Sequence, residues 1–515
     1  THPVVYQRLV AAKQARPAMR VVVIDPRRTA TCEMLEAGAD LHLAIRPGAD
    51  AWLFNGLLQH LKREDAIAWD YVEAHVEGFG AALQAVAGLS IPVVAQHCGL
   101  PESDVAEFYR LFTHTEKTVT VFSQGINQST SGVDKGNAII NCHLATARIG
   151  QPGAAPFSIT GQPNAMGGRE VGGLANQLAA HMDFAEADIE RVGRFWAAPN
   201  MARQPGLKAL DLFDAVADGR VKAVWIMATN PVVSLPDADR VLAALRGCEF
   251  VVVSDVVAAT DTLDCAHVKL PAAAWGEKDG TVTNSERCIS RQRAFLPQPG
   301  EVRPDWWIVS EVARRLGHVE HFDYAGPADI FREHVALSGF ENDGSRDFDL
   351  SAISGFDTLE PVQWPVSRIG GKPGGTARLF ADGRYYTPSG RARMLAVTPR
   401  APARAPDADF PLILNTGRIR DQWHTMTRTG KAAKLLAHID QPYLEMHTVD
   451  ARRFDLIDGA LVRIHSAQGE MLLRVQVSDA QQPGSVFAPM HWNRQYTGLG
   501  RVGAPVRSLH PPGRD

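Results

Sequence analysis

Residues 19–31, which read MRVVVIDPRRTAT, restrict the fold more than any other stretch of the chain. Residues 19–24, with the apolar, β-branched run Val21-Val22-Val23-Ile24, are typical of a buried parallel strand, which ends at Asp25. Ligands of open α/β sheets bind beyond the carboxyl ends of such strands. The stretch therefore predicts an α/β domain with a ligand-binding edge at Asp25.

The same pattern, an apolar run followed by small polar residues, recurs along the chain. It predicts further strands at residues 119–122, 221–227 and 250–253, with a helix at residues 134–149. Residues 150–173 are rich in Gly, Pro, Gln and Asn, and we interpret them as a long ordered loop, a kind of segment that often carries function. Near the end of the chain, the alternating runs 461–465 and 471–477 predict a hairpin.

These segments predict the fold class α/β, with Rossmann-like doubly wound domains and a C-terminal six-stranded-type β-barrel domain. The length of 515 residues favours several domains over one compact core. We divide the chain into an α/β domain at 1–175, a second α/β domain at 176–340, a linker or extended cover at 341–405, and the barrel at 406–515.

The composition disfavours several classes of protein. Charged residues make up 21% of the chain and the net charge is -4, which is typical of a soluble globular protein and argues against nucleic-acid binding through bulk charge. The six cysteines contain no Cys-x-x-Cys pair, so we expect reduced thiols in a cytoplasmic protein. We expect no membrane span, because no apolar stretch is long enough. Walker, Gly-x-Ser-x-Gly and His-Glu-x-x-His motifs are absent from the sequence.

Seven phrases are rich in polar and glycine residues, and several of them follow predicted strands. They are VIDPRRTAT at 23–31, ADLHLAIRPGAD at 39–50, QGINQ at 124–128, GQPN at 161–164, TNP at 229–231, EKDGTVTNSER at 277–287 and NTGR at 415–418. In this order they resemble the molybdopterin oxidoreductases of the dimethyl-sulfoxide-reductase family. The longer phrases GQPNAMGGREVGG at 161–173 and TGRIRDQWHTMTR at 416–428 resemble bacterial assimilatory nitrate reductases most.

The resemblance implies a molybdenum enzyme that reduces nitrate to nitrite by oxygen-atom transfer at a bis-molybdopterin guanine dinucleotide centre. It also implies a four-iron four-sulfur cluster and a protein ligand to molybdenum. Both are expected upstream of Thr1, so the chain alone is expected to be an incomplete, inactive portion. The expected partner is an electron-donor protein: a flavoprotein, a ferredoxin or an NADH-linked subunit.

By the same resemblance, cofactor contacts fall on polar and glycine residues of the matching phrases. Those of the first α/β domain are Asp25, Thr29, Arg46, Asp50, Gly125, Asn127, Gln128, Gln162 and Asn164. Those of the second are Asn230, Ser234, Asp255, Lys278, Thr283 and Asn284. Those of the last domain are Thr416, Arg418, His424, Thr425, His491, Trp492 and Asn493. No residue is assigned as a metal ligand. Caps, turns and ordinary packing remain alternatives for each of them.

Arg169 and Met166 are the candidate catalytic residues. A planar guanidinium suits bidentate recognition of a trigonal oxyanion such as nitrate. The alternatives are that Arg169 pairs with Glu170 or another acid, and that Met166 only fills space.

Two other functions compete with nitrate reduction. One is a formate dehydrogenase-type molybdoenzyme. The other is a non-catalytic relative that keeps the fold as a scaffold in an electron-transfer complex, without pterin or metal. The polar residues retained at both predicted ligand edges argue against the scaffold.

Overall fold

The computed structural model describes residues 2–34, 38–402 and 404–506. The chain forms two compact units: unit 1 contains Thr1–Gly161 and Phe380–Asp515, and unit 2 contains Gln162–Leu379. Unit 1 is therefore discontinuous, because the chain leaves it after Gly161 and returns at Phe380. The division into four consecutive segments made from the sequence stays a prediction.

The first part of unit 1 contains two pairs of parallel strands. Val22–Ile24 pairs with Leu41–Leu43, and Val119–Phe122 pairs with Ala155–Ser158. The strands predicted at 19–24 and 119–122 are thus present, the first in shortened form. Both pairs leave their carboxyl ends free for the polar loops that follow them.

Helices supply most of the core of this part. Its central helix, Asp50–Arg63, has an acidic residue in its first turn and basic residues in its last, which complements the helix dipole. Leu53, Leu57 and Leu61 recur at intervals of four and are fully buried. The helices of unit 1 are Pro3–Ala15, Ala30–Glu33, Asp50–Arg63, Trp69–His75, Phe79–Val86, Ile91–Cys98, Glu102–His114, Gln124–Asn127, Gly132–Ala145, Ala433–Leu436 and Thr448–Arg453.

The second part of unit 1 is built on a five-stranded mixed sheet. Its strands lie in the order Ile413–Gly417, Ser485–Pro489, Tyr443–Met446, Glu470–Val477, Leu461–His465. The predicted hairpin is confirmed, since the last two of these strands are antiparallel. Strand Glu470–Val477 alternates, burying Met471, Leu473 and Val475.

The predicted six-stranded barrel is not found among the described residues. The edge strands Ile413–Gly417 and Leu461–His465 do not pair with each other there, so the sheet is open. The physical reason is that the chain turns into irregular structure after Gly417 and after Pro489 instead of adding a strand that could close the sheet.

The two parts of unit 1 contact each other through specific bonds. The Arg27 guanidinium lies 2.8 Å from the Glu445 carboxylate and 3.8 Å from the centre of the Phe487 ring. Short strands Val76–Glu77 and Ala392–Arg393 pair in parallel. The C-terminal sheet is thereby fixed to the loop that follows Ile24.

Unit 2 contains a three-stranded parallel sheet in the order Ala223–Met227, Phe250–Asp255, Val268–Pro271. The helices Ala209–Ala217 and Ala238–Gly247 share its hydrophobic core. A parallel sheet with helices between its strands agrees with the predicted α/β class. The doubly wound description stays a prediction.

The rest of unit 2 is mixed. A three-stranded antiparallel sheet is formed by Val362–Gln363, Cys288–Gln292 and Gly280–Thr283, and a hairpin by Val366–Ile369 and Lys372–Gly375. The remaining helices are Ala165–Glu170, Glu186–Phe195, Pro231–Ser234, Asp305–Arg315 and Pro327–Gly339. Single turns of 3₁₀ helix occur at Leu263–Cys265 and Trp275–Glu277 in this unit, and at His424–Met426 and Thr429–Lys431 in unit 1.

Two segments that sequence composition assigns to irregular structure contribute more than loops. Residues 150–173 contain the strand Ala155–Ser158 and the helix Ala165–Glu170. Residues 341–405, expected as linker or cover, place Trp364 in the core of unit 2 and Met394 in the core of unit 1. Their Gly and Pro content conceals isolated large apolar residues that the cores require.

Two expectations from composition concern cysteines and membrane spans. All six cysteines are free. No single helix in the described ranges has the length and apolar character needed to cross a membrane. One bent helix pair, Phe79–Val86 with Ile91–Cys98, meets that measure on length and composition only.

Candidate functional site

Asp25 and Asp50 lie near each other at the carboxyl edge of the first strand pair. Asp25 accepts a hydrogen bond from the Arg27 backbone N–H at 2.8 Å, and burial raises the pKa of its carboxyl. Asp50 begins the central helix and forms an ion pair of 2.7 Å with Lys135, whose side chain is only 3% exposed. This edge therefore combines two carboxylates with a buried ammonium group that the sequence analysis did not identify.

Arg46 and Thr29, predicted with them, have structural contacts. The Arg46 guanidinium donates to the carbonyl of His97 at 3.3 Å, and its backbone N–H donates to the carbonyl of Cys98. Both acceptors lie at the C-terminal end of the helix Ile91–Cys98. Thr29 precedes the short helix Ala30–Glu33. Both residues hold the edge in place, and their contact with a cofactor stays a prediction.

Gly125, Asn127 and Gln128 belong to the short helix Gln124–Asn127 and the residue after it, beyond the second strand pair. All three are exposed. A β-carbon at Gly125 would meet nothing within 4 Å, so its backbone is accessible to a ligand.

Arg418 is a half-buried cation of unit 1 that lies against an aromatic ring. Its guanidinium lies 3.3 Å from the centre of the Trp423 ring, while its Nε is buried without a hydrogen-bond partner among the described residues. Burial lowers the pKa of Arg418 to about 10, still well above neutral pH. Gly161 lets the chain approach this guanidinium, since a β-carbon there would lie 3.3 Å from Arg418 Nη1. A buried donor of this kind is able to bond an anionic or carbonyl group of a ligand.

His491, Trp492 and Asn493 lie just past the strand Ser485–Pro489, and all three are buried. The His491 Nε2 accepts the backbone N–H of Ile419 at 3.2 Å, so the neutral ring carries its proton on Nδ1. Burial, with Arg418 contributing, lowers the pKa of His491 to about 4. His491 is therefore uncharged at neutral pH.

The turn His424–Met426 has a strained backbone. Its three residues have φ angles of 44°, 53° and 60°, in the left-handed region that side-chain-bearing residues avoid. Asn493 Nδ2 donates to the Thr425 carbonyl at 2.9 Å, and the Tyr496 hydroxyl donates to the Met426 carbonyl at 3.2 Å. Such strain persists only where surrounding bonds impose it, and it is common at binding sites.

Other members of the predicted C-terminal set lie close by. Thr416 is exposed on the strand Ile413–Gly417. Desolvation lowers the pKa of His424 to about 4, with contributions from Arg428 and Arg418. Gln422, which the sequence analysis omitted, is fully buried, and its Nε2 has no partner among the described residues.

In unit 2, Asn230, Ser234 and Asp255 follow the parallel strands as predicted. Asn230 accepts a hydrogen bond from Thr262 at 2.7 Å, and Ser234 donates to the Asn230 carbonyl at 3.1 Å. Asp255 accepts from the Val256 backbone at 2.6 Å. These contacts make a structured edge.

The predicted residues Lys278, Thr283 and Asn284 lie in or next to the strand Gly280–Thr283. Lys278 forms an ion pair with Asp305 at 2.7 Å, and Asn284 accepts the Cys288 backbone N–H at 3.0 Å. The backbone N–H of Thr283 donates to Asn164 at 2.8 Å, while Gln162 is exposed nearby in sequence. Each of these side chains has protein partners, so any contact with a cofactor would be additional to them.

Glu170 is a buried carboxylate that the sequence analysis considered only as a partner for Arg169. It is 2% exposed and accepts hydrogen bonds from Trp364 Nε1 at 2.6 Å and from Thr283 Oγ1 at 3.0 Å. It does not pair with Arg169. The pairing alternative is therefore wrong for Glu170.

Arg169 is exposed, and its guanidinium has no carboxylate partner among the residues that the structure describes. Met166 is half-buried and packs against the core of unit 2. The same short helix, Ala165–Glu170, thus presents one cation to solvent and one thioether to the interior.

The sequence does not indicate Lys135 and Glu170, because their partners lie far away in sequence; Thr283 and Glu170 are separated by 113 positions. The Oε1 of Gln422 accepts from the Thr429 hydroxyl seven positions away, and only the folded chain shows that this residue is buried. A charged or amide residue inside an apolar helical pattern is the signal that could have indicated Lys135. Within the described ranges no three His, Cys, Asp or Glu residues are placed to hold a metal ion. Burial raises the pKa of Cys98 to about 12, so this thiol stays protonated at neutral pH.

Comparison with known proteins places this geometry in a family. A family model for "Molybdopterin oxidoreductase" matches residues 1–315, and one for "Molydopterin dinucleotide binding domain" matches residues 412–514. A nitrate reductase of Klebsiella oxytoca is 51% identical across 99% of this chain and 58% of its own length. The chain thus spans somewhat more than half of that relative.

Further relatives are more distant. The assimilatory nitrate reductase catalytic subunit of Bacillus subtilis is 31% identical over 92% of this chain and 65% of its own length. The F420-dependent formate dehydrogenase subunit alpha of Methanocaldococcus jannaschii is 30% identical over 95% and 70%. The acetylene hydratase structure from Pelobacter acetylenicus has a TM-score of 0.67 at 18% identity, covering 96% of this chain and 70% of that one, and so shares the fold. The chain belongs to the molybdopterin oxidoreductase family.

Proposed function

We propose that the protein containing this chain reduces nitrate to nitrite by oxygen-atom transfer at molybdenum held by molybdopterin guanine dinucleotides. Similarity supports nitrate over formate, because the Klebsiella nitrate reductase shares far more of this sequence than the formate dehydrogenase subunit does. The proposal includes the bis form of the cofactor, the doubly wound α/β domains and the assignment of the predicted site residues.

The observation that carries the proposal is the exposed guanidinium of Arg169, which has no carboxylate partner within the described part of the chain. Its neighbour Glu170 is directed into the core, so no adjacent carboxylate neutralises the cation. A guanidinium offers two parallel N–H donors to a planar oxyanion. Nitrate has that shape and charge.

The residues of unit 1 fit the phosphates and guanine of a dinucleotide. Arg418 Nε and Gln422 Nε2 are buried donors without partners among the described residues, as expected where a polyanionic ligand completes the site. Asp25 offers a carboxylate that could accept from the amino edge of guanine. When bound, the cofactor supplies the two-electron reduction that removes one oxygen atom from nitrate.

The chain's own residues bind and orient in this scheme. Arg169 holds nitrate. Arg418 carries the positive charge that the phosphates require, while His424 and His491 are neutral at pH 7 and serve as hydrogen-bonding groups. The rigid turn His424–Met426 fixes the backbone groups around them.

The test is substitution of Arg169 in the molybdenum-loaded, full-length enzyme. Arg169→Ala is expected to lower kcat/KM for nitrate roughly 10-fold or more, about 1.4 kcal/mol, and Arg169→Lys to restore part of it because charge returns without the planar fork. The matched control is Arg203→Ala, which removes an exposed arginine of unit 2 paired with Glu186. An unchanged kcat/KM in Arg169→Ala would remove Arg169 from the site.

The same preparation separates the alternatives. Formate oxidation in place of nitrate reduction would establish the formate dehydrogenase reading. A protein with no molybdenum and no guanine nucleotide released by acid would be the scaffold. About two guanine dinucleotides per molybdenum would exclude the scaffold. The iron–sulfur cluster, the type of electron donor and the cytoplasmic location stay predictions.

A further inference from the structure

We propose that Glu170 is a positioning residue: through its bonds inside unit 2 it fixes the orientation of Arg169 toward nitrate. The inference rests on the proposed function and deepens it. It concerns the residue next to the predicted substrate contact, which carries the opposite charge and does not touch substrate.

The first step is the way Glu170 uses its carboxylate. One oxygen accepts from Trp364 Nε1 at 2.6 Å, and the other accepts from Thr283 Oγ1 at 3.0 Å. His334 Nε2 lies 3.8 Å from the second oxygen. All three anchoring groups belong to the interior of unit 2, and Trp364 and Thr283 are at most 2% exposed. The C-terminal end of the helix Ala165–Glu170 is therefore tied to the core.

The second step is the other end of this helix. Asn164, the residue before its first turn, accepts the backbone N–H of Thr283 at 2.8 Å. Thr283 thus bonds to both ends of a six-residue helix: its backbone N–H donates to Asn164 and its hydroxyl donates to Glu170. Bonds at both ends restrict the movement of the helix, so the position of the Arg169 backbone and the direction in which its side chain leaves the helix are set.

The third step is the fold of the chain beyond Glu170. A β-carbon at Gly172 would lie 2.7 Å from the Ala179 backbone nitrogen, and one at Gly173 would lie 2.7 Å from the Gly168 carbonyl oxygen. The backbone therefore doubles back closely onto the helix. Within this tightly bonded frame, Arg169 is the charged side chain that is left exposed.

Burial of a carboxylate in an apolar core is unfavourable unless its hydrogen bonds are complete. Bonding could be preserved without charge: a glutamine could accept from Trp364 through its oxygen and donate to the Thr283 hydroxyl, which can rotate to accept. Alanine would leave both partners unpaired. The two substitutions therefore separate the geometric role of Glu170 from its charge.

The experiment is a double-mutant cycle on the full-length, molybdenum-loaded enzyme, with kcat and KM for nitrate measured separately and molybdenum content checked in each variant. Glu170→Ala is expected to lower kcat/KM roughly 10-fold, divided between KM and kcat in the same way as in Arg169→Ala. Glu170→Gln is expected to stay within about 3-fold of the parent. In the Arg169→Ala background, Glu170→Ala is expected to cause no further loss, because the group it positions is gone.

The matched control is Asn342→Ala, which removes buried hydrogen bonds to Ser338 and Phe348 in the same unit. It is expected to lower thermal stability and leave kcat/KM unchanged. If Glu170→Ala does not fold, Trp364→Phe takes its place in the cycle, since it deletes one of the same bonds.

The outcomes are distinct. If the parent enzyme reduces no nitrate, the proposed function falls and this inference falls with it. If the parent reduces nitrate but the kcat/KM losses of Arg169→Ala and Glu170→Ala multiply in the double variant, only the positioning role is overturned. The same holds if the replacement variant Trp364→Phe, like Asn342→Ala, loses stability and keeps its kcat/KM. Loss of activity in Glu170→Gln equal to that in Glu170→Ala would assign the effect to charge and would also overturn it.

Discussion

At the scale of single residues, two neighbours in the helix Ala165–Glu170 show how small differences decide a site. Gly167 and Gly168 are adjacent and both lack a β-carbon, but their surroundings differ. A β-carbon at Gly167 would collide with the Asn164 side chain, whereas one at Gly168 would meet nothing within 4 Å. Alanine therefore fits without movement at Gly168, whereas at Gly167 it requires the Asn164 side chain to shift.

We therefore expect Gly167→Ala to displace the Asn164 carboxamide from the Thr283 backbone N–H. The lost bond should reduce the free energy of unfolding by about 1–3 kcal/mol, because a buried donor is left unpaired. Gly168→Ala serves as the control and should be neutral or stabilising by about 0.5–1 kcal/mol, as alanine favours helix more than glycine does. Denaturant unfolding of both variants measures this; equal stabilities would contradict it.

At the scale of elements, the turn His424–Met426 has a conformation that depends on a neighbouring segment. Left-handed backbone costs of the order of 1 kcal/mol or more per residue, and Thr425 is also β-branched. The bond from Asn493 opposes the relaxation of this turn. Its geometry is thus a property of two segments that are distant in sequence.

Removal of that bond should release the turn. Asn493→Ala is expected to accelerate amide hydrogen exchange in peptides that cover residues 422–430, with a loss of about 1 kcal/mol in stability. Peptides from the hairpin strand Leu461–His465 provide an internal control and should exchange as before. Unchanged exchange at 422–430 would show that other contacts hold the strained turn.

Elements with strong local patterns could be predicted from sequence, and elements that depend on pairing could not. Val119–Phe122 was predicted with its observed bounds, and the strand at 250–253 extends two residues further, to Asp255. The Gly, Pro, Gln and Asn content of residues 150–173 predicts a loop, but Ala155–Ser158 within it becomes a strand by pairing with Val119–Phe122. The prediction of a closed barrel is not confirmed, because alternating apolar residues predict strands but do not predict whether the two edges of a sheet pair with each other.

The site follows the same division. Motifs located Thr283 and Asn164, but not the hydrogen bond between them. The roles of Lys135 and Glu170 could not be predicted, because the partners of a buried ammonium or carboxylate come close to it only in the folded chain. Sequence therefore identified where polar groups collect and left their bonding to the structure.

At the scale of the whole molecule, the histidines whose pKa falls to about 4 or below among the described residues lie in unit 1. Burial lowers the pKa of His143 to about 3 and that of His491 to about 4, and both rings are at most 1% exposed. His424 also has a lowered pKa, but it is exposed and solvent screens its charge. All three residues belong to unit 1.

The sign of the pH effect follows from proton binding. In the unfolded chain these histidines protonate near pH 6.5, whereas in the folded chain they stay neutral to about pH 4 or below. The unfolded state therefore binds more protons between those values, and stability falls as pH falls through this window. From pH 7 to pH 5 each buried histidine should remove on the order of 2 kcal/mol.

Chemical unfolding at pH 7 and pH 5 measures this loss. His491→Gln keeps an acceptor for the Ile419 N–H and does not titrate, so its stability should depend less on pH than that of the parent, by roughly 2 kcal/mol over the same interval. An identical pH dependence in parent and variant would exclude His491 as a source of the effect.

The discontinuity of unit 1 bears on the order in which the chain can fold during synthesis. Helix Asp50–Arg63 emerges early, yet Met394 and Val397, which complete its core, are made only after the whole of unit 2. Unit 2 is continuous and can form its contacts as it emerges. We expect a nascent chain that ends near Leu379 to contain a folded unit 2 and a unit 1 whose apolar surface is still exposed, and so to depend on chaperones until residues 380–489 have been added.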